Sequence, residues 1–320
     1  MSPVDLKLGD FDLVLTANQK FPLIYDNDSD RIGSGNSGSV YRATLNCSHN
    51  FEVLDNNKVA VKVIPDKDIT TGESAATVEI RALKAIKNIS STNPNIATCY
   101  GAFKHDDKTY VLFELATSDL TSFMVDNSIV NRSVQINLPW LRSQLRGLAQ
   151  ALHAVHTVPD KSVFHHDIKP ENILFCGLDQ PFKITDWGCA GVKPFSGHFG
   201  LGSPSSKVKG NPFYTPPECR GDKPSSRSHD IWSLGCVFLE LLTWYSEGWD
   251  ALQTFRRKIE NNPAYKTDWA NADKSALLGD VLDKMVFLNA NFTRQINVIC
   301  EMLNVVPAAR PQAQVVANGI

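Results

Sequence analysis

The chain has 320 residues and a mass of 35.4 kDa, about two ordinary domain units by length and enough to bury a core without disulfide or metal staples. Lys plus Arg at 32 against Asp plus Glu at 34 gives a formal charge of -2 and a pI near 6.4, which excludes the basic footprint of a general nucleic-acid or membrane-surface binder. With 42% apolar and 21% charged residues the composition is that of a folded globular protein, and no apolar run approaches the roughly 18 residues of a membrane span.

At the N-terminus Asp5, Asp10 and Asp12 interrupt what would be the apolar core of a signal peptide, and Met1-Ser2-Pro3 offers no myristoylation glycine. Cys47, Cys99, Cys176, Cys189, Cys219, Cys236 and Cys300 form no Cys-x-x-Cys pair. Reduced thiols in the cytoplasm or nucleus are expected, without a zinc framework.

After an N-terminal extension over 1–23, short β-branched and aromatic runs occupy 24–116, and long helical periods fill 117–320. Strands are predicted over 39–44, 58–64, 96–103 and 109–115. One helix over 73–87 interrupts them, with Ala76, Glu79, Leu83 and Ile86 on one face. Glu79 is a carboxylate within an apolar stripe and needs a partner. The Asn-rich stretch 46–57 reads as a surface insertion.

In the second part, Asn137 as N-cap and Pro139 in the first turn open a helix whose Leu141, Leu145, Leu148, Leu152 and Val155 repeat on one face. The stretch 231–245 is apolar almost all round and is predicted to be a buried central helix. Between these helices, 191–210 is rich in Gly, Ser, Pro and Lys and too long for an ordinary connection, as functional loops are.

Gly33-Ser34-Gly35-Asn36-Ser37-Gly38 joins two predicted strands. Glycines there let backbone N–H groups approach a polyphosphate, although alone the pattern is more often a plain glycine-rich hairpin. Val40 follows, and then Val59-Ala60-Val61-Lys62 sets Ala60 and Lys62 on one face of a strand. A lysine inside an apolar strand is costly unless it meets an anion, which Glu79 or a bound phosphate supplies. His165-His166-Asp167-Ile168-Lys169-Pro170-Glu171-Asn172 packs a carboxylate, an ammonium and an amide into a short segment, and Asp186-Trp187-Gly188 follows. Phosphoryl transfer asks for a carboxylate near the attacking hydroxyl, a cation on the migrating group and oxygen ligands for Mg²⁺.

These motifs, together with Pro216-Pro217-Glu218, Asp230 and Arg310, resemble the eukaryotic-type protein kinases of the Ser/Thr branch, over about 32–311. The resemblance implies an α+β, bilobal fold with a small, mainly antiparallel β N-lobe carrying one helix and a larger, mainly α C-lobe. It implies transfer of the γ-phosphate of ATP, with Mg²⁺, to serine or threonine of protein substrates. By that resemblance Lys62 holds the α and β phosphates and Glu79 tethers Lys62. Asp167 acts as base, Lys169 reaches the γ-phosphate, and Asn172 and Asp186 bind Mg²⁺. Phe113 resembles the gatekeeper, and Glu114 to Ala116 the hinge that meets adenine. Asp119 sits at the ribose contact, Val40, Ala60 and Leu174 sandwich the base, and Glu218 with Arg310 forms a buried ion pair.

Some of these residues have plainer readings. Asp119 is equally the cap of the next helix, Asp230 reads as an N-cap, Cys189 as a small buried hydrophobe, and the run Arg256-Arg257-Lys258 as a solvated face. The chain also departs from the family. His166 replaces the arginine that usually receives an activation-loop phosphate, Trp187 replaces phenylalanine and brings an N–H needing a partner, and Asn211 replaces a threonine. Only ten residues follow Arg310, so the last helix is expected to be short or cut away. The alternatives to an active protein kinase are a pseudokinase that binds proteins as a scaffold and a small-molecule kinase of similar fold. The Pro-Pro-Glu segment, which resembles a platform for protein substrates, speaks against the latter.

Overall fold

The computed structural model describes residues 7, 9–16, 18–35, 38–46, 57–66, 74–127, 134–194, 211–219, 226–260, 269–270 and 276–320. The first seven strands, β1 (Asp10–Val14), β2 (Leu23–Ile24), β3 (Arg31–Gly35), β4 (Gly38–Leu45), β5 (Lys58–Pro65), β6 (Cys99–His105) and β7 (Lys108–Phe113), make one sheet, with helix α1 (Ala75–Ser90) between β5 and β6. Its order is β1-β6-β7-β5-β4-β2, with β3 also on β4. β1 lies parallel to β6, and the other pairings are antiparallel.

The period of two along β5 divides this lobe's interior. Val59, Val61 and Val63 join Tyr100, Phe103, Tyr110, Leu112, Leu15 and Leu23 in a cluster on one face of the sheet. Ala60 and Ile64, on the other face, belong to the main core with Ala76, Leu83 and Ile86 of α1. α1 begins at its cap, where Ser74 Oγ accepts the Thr77 N–H at 3.0 Å. The strand expected from 96 starts only at Cys99. The Asn95 carbonyl and the Ala97 N–H are instead bonded to the Ile184 backbone at 2.8 and 2.9 Å.

The second lobe contains β8 (Ser118–Asp119), α2 (Leu120–Asp126), α3 (Leu138–His156), β9 (Lys161–Phe164), β10 (Ile173–Phe175), β11 (Lys183–Ile184), β12 (Gly191–Pro194), α4 (Arg227–Glu247), α5 (Trp249–Glu260), α6 (Gly279–Met302) and α7 (Ala313–Gly319). Asn137 caps α3 by accepting the Trp140 N–H at 3.0 Å, and the five expected apolar residues of its stripe are fully buried. α4 is buried continuously over 229–244 and forms the central helix of this lobe. Glu218 and Arg310 pair through two contacts of 2.6 and 2.7 Å, with the guanidinium over the Trp232 ring.

The solvated face expected at 256–258 holds only for Arg257 and Lys258. Arg256 turns inward because Glu240, fully buried on α4, needs a counter-charge, and two contacts of 2.7 Å provide it. Of the loop expected over 191–210, Gly191–Pro194 is a strand paired with β9. The remainder of that loop, residues 47–56 of the insertion expected over 46–57, and Asn36 and Ser37 lie outside the described residues.

Candidate active site

β3 and β4 close with Gly35 opposite Gly38, so Gly33, Ser34, Gly35 and Gly38 are brought to the hairpin end expected to cover a polyphosphate. Gly38 has a packing reason of its own: a Cβ there would run into the Val63 carbonyl oxygen. In the sheet Val40 lies opposite Lys62, and Ala60 opposite Phe113. Leu174 on β10 pairs with Asp119 on β8, at the start of the second lobe. The Asp119 carboxylate accepts the Ser122 N–H at 2.8 Å and is the N-cap of α2. Glu114 closes the strand end: its N–H donates to the Thr98 carbonyl, and its carboxylate takes the Thr98 N–H and the Lys183 ammonium, each at 2.6 Å. Ala116 lies in the connection from β7 to β8.

Lys62 resolves the cost of a cation in an apolar strand. Its Nζ lies 2.6 Å from Glu79 Oε2 and 2.8 Å from Asp186 Oδ1, joining the sheet, α1 and the second lobe. Burial works to lower the lysine's pKa, but the two carboxylates overcome it and raise it. Burial also works against the charge on Asp186, yet Lys62 and the Gly188 N–H hold that carboxyl at about 2. Glu79 is the weaker partner: burial pushes it up to about 7 against the pull of Lys62, and its Oε1 has no hydrogen-bond partner among the described residues.

The segment between β9 and β10 carries the second group of polar residues. His166 and Asp186 have φ of 66° and 64°, the left-handed region that costs an ordinary residue strain. Asp230, one turn into α4, offsets that strain at His166 by accepting the N–H groups of His165 and His166 at 2.9 and 2.7 Å, and the His156 ring at 2.8 Å. Burial works to raise its pKa, but the His156 contact and the surrounding histidines lower it. The N-cap reading of Asp230 is therefore overturned, since Ser226 precedes α4 and the carboxylate is spent on another loop. The His165 ring fixes the next turn: Nδ1 accepts the Asp167 N–H at 3.3 Å, so Nε2 carries the proton and donates to the Thr185 carbonyl at 2.8 Å.

Asp167 sits within a ring of donors. Its Oδ2 takes Lys169 Nζ at 2.9 Å and Asn172 Nδ2 at 3.0 Å, and its Oδ1 takes the Asn211 N–H at 2.7 Å. The Asn211 side chain caps its own turn through the Phe213 N–H, so the backbone rather than the amide reaches Asp167. Asn172 Nδ2 also donates to the Asp167 carbonyl at 2.8 Å. Both of its partners are acceptors, which orients the amide and leaves Oδ1 for a cation. The Asn172 carbonyl takes the Thr185 N–H at 3.0 Å, setting Asn172 beside Asp186, whose side chain keeps 33% exposure. Two oxygen donors of this kind fit a hard Mg²⁺.

Trp187 is fully buried edge-on to His165, and its Nε1 has no partner among the described residues, so the expected bond is not present there. Burial pushes the Cys189 thiol up to about 12, in keeping with a small hydrophobe rather than a reactive thiolate. Sequence reasoning missed the contributions of Thr98, His156 and Lys183. Only long-range packing reveals them.

Residues 27–319 match the family described as Protein kinase domain. Among curated proteins the chain is 29% identical to cyclin-dependent kinase 7 of Dictyostelium discoideum over 71% of this chain and 58% of that protein. It is 26% identical to CBL-interacting protein kinase 20 of Oryza sativa subsp. japonica over 79% and 52%, and 29% identical to cyclin-dependent kinase D-1 of Arabidopsis thaliana over 66% and 47%. The chain spans about half the length of the curated relatives it matches. With a family match across nearly its whole length, the chain belongs to the protein kinase family.

Proposed function

We propose that the protein transfers the γ-phosphate of ATP to serine or threonine hydroxyls of protein substrates. The observation that carries this reading is the bridge of Lys62 between Glu79 and Asp186, at 2.6 and 2.8 Å. A buried ammonium presented beside a glycine hairpin suits the α and β phosphates of ATP. Val40, Ala60 and Leu174 would wall the adenine, with Phe113 opposite Ala60 in the sheet and the backbone of Glu114 to Ala116 next in the chain. Asp119 is already engaged as the cap of α2.

Asp167 is held by three donors and presents its carboxylate to an incoming hydroxyl, whose proton it accepts as the oxygen attacks. Lys169, 2.9 Å from Asp167, brings a cation to the migrating phosphoryl group. Bound through Asn172 Oδ1 and Asp186, Mg²⁺ would neutralise charge on the phosphate oxygens. The contacts among Lys62, Glu79 and Asp186 and between Asp167 and Lys169 favour this reading over the scaffold alternative.

The test is incubation with labelled ATP, Mg²⁺ and a peptide library beside an Asp186→Asn variant. Label on serine and threonine peptides with wild type, and its loss in the variant, is expected. Equal labelling by both would reject the proposal.

A further inference from the structure

The segment over 9–24 lies outside every catalytic motif, yet it reaches the helix that carries Glu79. β1 is drawn onto β6 by the Gly9 N–H, which donates to the Tyr100 carbonyl at 2.7 Å, and by the Leu15 N–H, which donates to the Lys104 carbonyl at 2.8 Å. The approach depends on Gly101, which has φ +144° and would place a Cβ 2.6 Å from the Asp10 carbonyl oxygen. From β1 and the residue before it two bonds cross to α1. Lys84 Nζ meets Asp12 Oδ1 at 2.6 Å, and Lys87 Nζ donates to the Gly9 carbonyl at 2.9 Å. Phe11 packs against the core that includes Leu83 and Ile86 of α1.

An exposed ion pair alone holds little. Here the strand behind it is anchored on both sides. Leu15 and Leu23 are buried in the second cluster with Leu13 and Phe21 packed against it, and the Phe21 ring lies 5.9 Å from Phe103 and 5.2 Å from Tyr110. β2 then pairs with the far side of the sheet through Leu45 and Thr44. Lys84 and Lys87 are therefore tied to a strand that cannot shift without exposing apolar surface.

Glu79 and Lys84 share one helix, so whatever fixes the second limits the first. Glu79 needs such support: its carboxyl is fully buried and only one of its oxygens is bonded. We propose that Asp12 and the Gly9 carbonyl are positioning groups, which hold α1 through Lys84 and Lys87 where Glu79 meets Lys62. The chain thereby orders its ATP-binding lysine with its own N-terminal strand. The inference rests on the proposed role of Lys62 toward ATP.

The test uses the full chain with Asp12→Lys, which sets like charges together, and the swap Asp12→Lys/Lys84→Asp. Amide hydrogen exchange over 75–90, read without ATP, is expected to quicken in the first variant and return in the swap. This readout stands whether or not the protein transfers phosphate, so it fails independently of the functional reading. The dissociation constant for ATP is expected to rise about three- to tenfold in Asp12→Lys and to recover in the swap. In a Glu79→Gln background Asp12→Lys should add no further loss, because the contact it supports is already gone. Should Asp12→Lys fail to fold, Lys87→Met removes the bond to Gly9 while keeping a long side chain, and is expected to act in the same direction. Unchanged exchange over 75–90, or an undiminished loss in the Glu79→Gln background, would overturn the proposal.

Discussion

Asp230 on α4 accepts the backbone N–H of His166 at 2.7 Å, holding a residue with φ of 66° directly before Asp167. Removing that carboxylate strands two buried N–H donors and the His156 ring in a fully buried site. Breaking a buried charged network by deleting one member costs about 3–5 kcal/mol. Asp230→Ala is therefore expected to lose that much unfolding free energy in urea titration at neutral pH. A loss below about 1 kcal/mol, the scale of a single net hydrogen bond, would contradict this role.

Two buried groups give stability opposite dependences on pH. Burial, with His166 beside it, lowers His229 from 6.5 to about 3. The unfolded chain therefore takes up a proton that the folded chain refuses, and stability falls as pH drops below 6.5. Glu79, raised from 4.5 to about 7, acts the other way: the folded chain binds the proton more tightly, and stability falls as pH rises through that window. The two dependences oppose each other between pH 6.5 and about pH 5. Glu79→Gln removes the second contribution, so the variant should lose stability on acidification more steeply than wild type. Parallel profiles for the two proteins, by chemical denaturation across this range, would contradict the assignment.

His166 bears on regulation. Its ring is buried against Phe164 at 5.4 Å, and burial lowers its pKa, so it is neutral at pH 7. A phosphoserine orders a loop chiefly through arginine forks, which a neutral imidazole cannot supply. Activity is expected to survive removal of phosphate from Ser203, Ser205 and Ser206, which lie outside the described residues. Phosphatase treatment checked by mass spectrometry, beside a triple-alanine variant, tests this. A hundred-fold fall in either sample would mean that another basic residue receives the phosphate.

Much of the site was legible because charges inside apolar periods demand partners. Lys62 beside Val59-Ala60-Val61 and Glu79 within the α1 stripe each call for an opposite charge from the sequence alone. The helices α1 and α3 were legible from periodicity and α4 from its continuous apolar run, with α1 starting at the Ser74 cap. What local rules missed was set by contacts far apart in the chain. β1 is five residues with no turn linking it to β6, so nothing nearby marks its parallel pairing. Asp230 in a first helical turn looked like a cap because its true partners, His165 and His166, precede it by a whole loop and helix start. Arg256 looked solvated because its need for Glu240 arises only when α5 packs on α4. At Asn211, which replaces a threonine, the short helical turn that begins there takes the side-chain oxygen and turns the backbone N–H toward Asp167.

The most direct measurement compares phosphate transfer by wild type and Asp167→Asn, with labelled ATP and Mg²⁺, on serine, threonine and tyrosine peptides. Circular dichroism establishes that both are folded. Asn retains the shape that Lys169, Asn172 and the Asn211 N–H surround but cannot take a proton. Wild type is expected to label serine and threonine peptides, tyrosine poorly, and the variant to fall by about 10²- to 10⁴-fold. Equal transfer by the two proteins would contradict the role of Asp167 and with it the reading of the site.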